Sequence, residues 1–290
     1  MMSRVVGAEA LDSLVADDPA ALRSRRDLRR VHQAMGTRRI LLRAIQATQM
    51  YRQRAGPLRV LELGAGDGTL MLGVAQALAG AWPSVELRLL DRLDLVQPPT
   101  LAGFAACGWA AKAVVADVLD WASPTGSTTD AAPDSAPTAS APPWDLIIAS
   151  LFLHHFEAAP LAHLLAAAAA RSRCFVACEP RRAALALAGS HLVGLIGANA
   201  VTRDDAVLSV HAGFRGQELA ALWPTPLRLA GRPIDASPWQ LAEYSAGLFS
   251  HCFRAERRDA AAGVAGVAGV AGAAGAAGAA GAAGAAGAAA

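Results

Sequence analysis

The chain has 290 residues, of which 54% are hydrophobic, with 26 basic against 24 acidic side chains and a formal net charge of +2. This composition excludes a wholly disordered polymer, which carries too little apolar surface to bury. It also excludes a nucleic-acid binder that depends on massive positive charge. The length allows one large domain or two small ones. Lys112 is the only lysine, and that bias, with abundant Ala, Gly and Pro, points to coding composition more than to chemistry.

The N-terminus, 1–7, lacks an apolar run of signal-peptide length. Cys107, Cys174, Cys178 and Cys252 form no CxxC pair and no zinc spacing, so reduced thiols in a cytoplasmic protein without a metal site are expected. Residues 18–54 read as two basic helices broken at Met35-Gly36-Thr37, with Asp18 as N-cap before Pro19. Beyond that cap, ten arginines fall here against one acid, Asp27. Such a face is either solvated or a lid for an anionic substrate, carrier or lipid.

From residue 57 the pattern becomes strand and helix in alternation. Strands are expected at 59–63, 85–90, 112–116, 145–150 and 173–178, with helices at 70–79, 101–111 and 160–171. Alternation of this kind implies βαβ units and a parallel sheet covered on both faces. Residues 240–246 and 248–254, separated by Gly247, read as a terminal antiparallel hairpin. Cys174 and Cys178 share one face of the fifth strand and are expected in the core. Residues 183–202 are uncharged, but Ser190, His191, Asn199 and three glycines make them a buried or pocket-lining helix, not a span. No spanning segment is predicted, and contact with a membrane surface stays allowed.

Two segments stand outside this pattern. Residues 122–143 hold five prolines, four serines and four threonines and read as a low-complexity insertion. Residues 259–290 form an Ala/Gly tail with glycine at every third position from Gly263 to Gly287. The expected organisation is a helical N-terminal cap (1–56), one α/β domain (57–258) and the tail.

The chemistry concentrates in Val60-Leu61-Glu62-Leu63-Gly64-Ala65-Gly66-Asp67-Gly68-Thr69. A strand ends in a glycine loop and a helix follows, so the backbone can approach a ligand closely and the helix offers free N–H groups. A dinucleotide fingerprint would need its third glycine at position 69, which is Thr69. Glu62, two residues before the first glycine, suits the ammonium of an amino-acid moiety and would repel a pyrophosphate.

This loop resembles motif I of class I S-adenosylmethionine (SAM)-dependent methyltransferases, and the remaining elements follow that family's order. The resemblance implies a Rossmann-like, mostly parallel sheet with a C-terminal antiparallel hairpin. It implies SAM as cofactor, held by Glu62, Gly64, Ala65, Gly66 and Gly68. Asp91, with Arg92 beside it, would hold the ribose hydroxyls, and Asp117 with Val118 the adenine, although Asp120 lies near enough to replace Asp117. Ser150 ends the motif IV-like stretch 144–150, and Leu153-His154-His155-Phe156 follows. His154, His155, His211 and Glu179 are the candidate catalytic groups, with packing the competing role for both members of the His pair. Residues 199–216 read as either an acceptor pocket or a surface loop with capping residues.

Glu179-Pro180-Arg181-Arg182, 201–206 and Phe249-Ser250-His251-Cys252-Phe253 resemble a bacterial subgroup associated with type III polyketide synthases and quinone-like products. That implies a small aromatic or polyketide acceptor, methylated on oxygen or carbon, in secondary metabolism, with no nucleic-acid partner. Two other readings stand beside it. One is an RNA or protein methyltransferase using the Arg-rich N-terminus, although the place of an Asn-Pro-Pro-Tyr-type motif reads Ala149-Ser150-Leu151-Phe152. The other is a non-catalytic SAM-fold binding protein. Oligomeric state is not legible.

Overall fold

The structure, a computed structural model, describes residues 2–15, 17–53, 57–82, 84–123, 143–224 and 237–258. Met1–Glu256 form one compact unit; of the second unit, Arg257–Ala290, only Arg257 and Arg258 are described. The predicted tail and all but the ends of the predicted insertion lie outside the described residues.

The N-terminal region is helical. A single turn, α1 (Ala10–Ser13), precedes α2 (Pro19–Met35), α3 (Thr37–Gln46) and α4 (Gln49–Gln53). Asp18 caps α2 as its position predicts, accepting from the Ala20 and Ala21 amides. Gly36, at φ 68°, ends α2 and starts α3. That left-handed conformation is cheap only without a Cβ.

Seven strands follow: β1 (Leu58–Leu63), β2 (Val85–Asp91), β3 (Trp109–Val115), β4 (Trp144–Ser150), β5 (Ser172–Pro180), β6 (Trp239–Ala246) and β7 (Ser250–Arg257). They form one sheet in the order β3-β2-β1-β4-β5-β7-β6. The pairs β1–β2, β1–β4, β2–β3 and β4–β5 are parallel, and β7 enters antiparallel to β5. This is the mostly parallel Rossmann-like sheet with a closing antiparallel hairpin that the sequence predicts. The chain leaves β1 toward one edge and returns through β4 to the other. A crevice therefore opens beyond the carboxyl ends of β1 and β4, where open α/β sheets bind ligands.

The helices α5 (Thr69–Leu78), α6 (Pro98–Ala106), α7 (Val118–Ala122), α8 (Ala158–Arg171), α9 (Ala184–His191), α10 (Ala200–Ala212) and α11 (Glu218–Leu222) complete the chain. Strand alternation divides the core in two. Val60, Leu146, Ile148, Val176, Cys174 and Cys178 pack with α3, α5 and α6 on one face. Leu61, Leu63, Ile147, Ala149 and Phe175 pack with α7, α8 and α11 on the other. The same period of two puts Glu62 on the face of Leu58 and Val60.

Three expectations change. The helix placed at 101–111 ends at Ala106, because Gly108 at φ 78° turns the chain and Trp109 pairs with Val85 to start β3 early. The apolar run there suits either period, and only the neighbouring strand decides. Residues 183–202 are not one helix but α9, a 3-10 turn at Val193–Ile196 and the start of α10. Gly197, at φ 83°, and Asn199, which accepts from Thr202 N at 2.8 Å, end one element and cap the next. Finally, Gly247 alone does not join the hairpin; Gly247, Leu248 and Phe249 all lie in the turn, since reversal needs at least two residues.

Candidate functional site

The carboxyl ends of β1, β2 and β4 open into a cavity of about 1380 Å³, closed by α2, α9, α10 and the N-terminal segment. Its floor is the glycine loop. Gly64, Gly66 and Gly68 all adopt positive φ (67°, 56° and 72°). Gly64 has a second reason to be glycine: a Cβ there would lie 2.2 Å from Phe152 Cδ2. Gly66 has open space above it, so a ligand can lie directly on the backbone. Gly68 turns the chain into α5 and faces Leu89 and Thr100, not the cavity.

Glu62 is 3% exposed and lines the cavity. Its Oε2 has no hydrogen-bond partner. Burial, and then the nearby Asp91 and Asp67 carboxylates, push its carboxyl well above the ordinary range. Such a group wants a cation. Asp91 accepts from Gly66 N at 2.8 Å and from Leu93 N at 3.0 Å, which holds the second strand's end against the loop. Asp67 accepts from Thr69 and pairs with Arg29 of α2 at 2.7 Å, tying the N-terminal helices to the loop. Asp117 lines the cavity and caps α7 through Leu119 N at 2.7 Å; Asp120 is not among the lining residues. Ala65, Arg92, Val118 and Ser150 also line it, and Ser150 Oγ is buried without a partner.

The turn after β4 carries the histidines. Leu151 sits at φ 50°, a left-handed conformation costing about 1–2 kcal/mol for a side-chain residue. Glu179, fully buried at the end of β5, holds the turn in place. Its Oε1 accepts from Phe152 N (3.1 Å) and Leu153 N (3.0 Å), and its Oε2 from His154 N (3.3 Å). Oε2 also lies 2.8 Å from His154 Nδ1. The carboxylate predicted as a candidate catalytic group is thus fully engaged as a cap and does not line the cavity.

His154 lies between two carboxylates, Glu179 at Nδ1 and Glu9 3.4 Å from Nε2. Burial alone would lower its pKa, but the hydrogen bonds to Glu179 and Glu9 outweigh this and raise it to about 9. It is an imidazolium near neutrality and has no capacity to accept a further proton. One ring nitrogen of His154, one of His155 and a Glu9 oxygen lie within 4.8 Å of one another; on His154 both nitrogens already face carboxylates. His155 differs. Both histidines line the cavity, but the His155 side chain is 23% exposed against 3% for His154, and its Nδ1 lies 3.2 Å from Asp12 Oδ2. His211, the third histidine candidate, is not among the lining residues; its carbonyl accepts from Val5 N.

The segment 2–15 supplies what the sequence reading missed. Glu9 bonds Ser209 of α10 as well as His154. Asp12 bonds Arg92 as well as His155. Asp205 of α10 accepts from Ala10 N (2.7 Å) and Leu11 N (3.0 Å), capping α1. Arg4 reaches the carbonyls of Ala212 and Phe156, and the buried Arg182 holds the Met2 carbonyl. The strap therefore bridges α10 to the end of β2 across the cavity. Residues 199–216, expected as a pocket or a capped loop, are largely the helix α10, and Thr202, Asp205, Ala206, Ser209 and Val210 line the cavity. His32 of α2 also lines it, with Nδ1 buried and unpartnered and a pKa pushed by burial down to about 4.

No protein-family model matches the chain, and no curated protein matches it. Solved structures do align with it. An O-methyltransferase family protein from Burkholderia thailandensis covers 80% of this chain and 57% of its own, at 13% identity and a TM-score of 0.47. A plantazolicin methyltransferase, in complex with a monoazolic desmethyl analogue and SAH, covers 81% of this chain and 90% of its own (13% identity, TM-score 0.49). A pyocyanin biosynthetic protein covers 86% and 62% (16% identity, TM-score 0.48). The chain thus spans about three-fifths of the length of the first and third.

Proposed function

We propose that this protein is a SAM-dependent methyltransferase acting on a small, largely apolar acceptor with an ionisable hydroxyl or an activated ring carbon. The observation that carries the proposal is Glu62: a buried carboxyl with an unpartnered oxygen, beside a glycine loop open to a cavity large enough for cofactor and acceptor together. An ammonium is the partner that such a carboxyl lacks. Asp91 would take the ribose hydroxyls, Asp117 and the Val118 N–H the adenine, and Gly64, Ala65 and Gly66 the backbone approach. Ser150 Oγ would supply a further polar contact.

SAM, when bound, supplies an electrophilic methyl group on a sulfonium. His155 is the base of choice. Asp12 holds its Nδ1, which would leave Nε2 to take the acceptor's proton. His154 and Glu179 position that turn instead of reacting. Alignment and exclusion of water, by the strap and α10, supply most of the rate. A cytoplasmic setting fits the four free thiols, three of them buried.

Calorimetry with S-adenosylhomocysteine tests the cofactor site, and a screen of phenols, resorcinols and quinols with labelled SAM tests the reaction. Binding with transfer to at least one acceptor is expected. Failure of the wild type to bind would overturn the proposal. Binding without turnover on any acceptor would favour a non-catalytic binding protein. Transfer to RNA, lost on deleting residues 1–54, would favour the RNA reading.

A further inference from the structure

The connection from α9 through the 3-10 turn exposes an unusual run of large apolar side chains. Leu185 is 54% exposed, Leu192 57%, Leu195 82% and Ile196 41%. Among the described residues the other exposed large hydrophobics fall at most two to any twelve residues; four within twelve need an explanation. The same turn is half inside the protein, since Leu192, Val193 and Ile196 line the cavity.

The surroundings of this knuckle are cationic. Arg30 of α2 donates to the Gly197 carbonyl, and Arg203 of α10 packs its stem against Gly194. Along α2, Arg26 and Arg23 lie one and two turns before Arg30 on the same side, both exposed. The nearby acids are Asp27, buried and paired with Arg30, and the exposed Asp204. Apolar side chains at the tip with arginines around them match the arrangement by which a protein enters the boundary of an anionic bilayer. The long arginine stems lie along apolar surface while the guanidinium groups reach phosphate. A second copy fits less well, because a two-fold contact here would set each arginine collar against its own copy.

We infer that the knuckle 185–196 and the Arg23–Arg26–Arg30 stripe dock on an anionic membrane surface. This brings the apolar wall of the cavity to the lipid phase, where a poorly water-soluble acceptor is concentrated. No helix among the described residues is long and apolar enough to cross a membrane, so attachment is peripheral.

The test is co-sedimentation of the full chain with vesicles of equimolar phosphatidylglycerol and phosphatidylcholine, beside phosphatidylcholine alone. Wild type is expected to pellet with the anionic vesicles only and to release at high salt. Leu185→Ser/Leu195→Ser, at positions outside the cavity lining, should weaken binding by about tenfold or more. Arg23→Glu/Arg26→Glu should abolish the anionic preference. Both variants should keep the wild-type far-UV circular dichroism and thermal unfolding midpoint, which shows that they fold. Wild type that ignores anionic vesicles overturns the inference, as does unchanged binding in the leucine pair. A dimer in sedimentation velocity that the leucine pair dissociates would assign the surface to a second copy instead. The inference does not rest on the methyl-transfer reading: vesicle binding and cofactor calorimetry fail separately.

Discussion

Replacing Glu62 by Gln separates two effects that usually move together. In the wild type, burial and the neighbouring Asp91 and Asp67 raise the folded-state pKa of this carboxyl above its unfolded value. A carboxyl with a raised folded pKa contributes stability below the unfolded range, and that contribution is lost as pH rises toward the folded value. Glu62→Gln removes the ionisation and keeps the shape. The ligand-free variant should therefore be at least as stable as wild type at pH 8, with the difference shrinking toward pH 4. Cofactor affinity should move the other way. A hydrogen bond to a charged group is worth about 1.5–3 kcal/mol, and about 1.4 kcal/mol is tenfold in affinity, so the S-adenosylhomocysteine Kd should rise about 10- to 150-fold. Thermal unfolding of the ligand-free proteins at both pH values and calorimetry at pH 8 read the two signs. Equal affinity in wild type and variant refutes the assignment of Glu62 to the ammonium. A variant that is less stable at pH 8 refutes the account of its burial.

Further outcomes follow from the same geometry. Gly64→Ala places a Cβ against Phe152 at a positive φ, and strain plus overpacking should cost about 2–5 kcal/mol in urea unfolding; a shift under half a kcal/mol, about the scatter of neutral surface changes, would mean the loop relaxes freely. His154 holds its proton up to about 9, so its contribution to stability should be complete below pH 6.5 and fall away as pH rises through 9. That slope should vanish in His154→Gln, and a slope kept by the variant assigns it elsewhere. Glu179→Gln leaves His154⁺ without its closest partner and weakens the bonds to three amides, so a loss of about 3–5 kcal/mol is expected, as for one half of a broken buried pair. His155→Ala should lower kcat at saturating SAM by about 10²–10⁴-fold, with S-adenosylhomocysteine affinity kept. Asp12→Asn should lower it less, and wild-type turnover in both removes His155 as base.

The glycine loop, the acid at Glu62 and the alternation of strand and helix are local patterns, and local geometry produces them. A strand ending in Gly64-Ala65-Gly66 needs no distant partner to expose its backbone. The period of two along β5 sends Cys174 and Cys178 to one face whatever packs there. Where local signals are degenerate, as at 101–115, the helix and strand boundary waits on pairing with β2. The histidine pair shows the limit most sharply. His154 and His155 are adjacent and chemically identical in the sequence. Contacts from two distant places separate them: Glu179 is 25 residues away from His154, while Glu9 and Asp12 come from the N-terminal segment.

Residues 2–15 carry no periodicity and no motif, and nothing in them marks Glu9 or Asp12 as part of a site. Their roles arise when Asp205, 195 residues away, caps α1 and lays the segment across the cavity. Sequence alone carries the glycine loop, because its geometry is set within ten consecutive residues. The difference in surroundings between the two histidines belongs to the folded state. A proton affinity is set by which carboxylates stand within about 3 Å and how much water is excluded, and both are properties of packing.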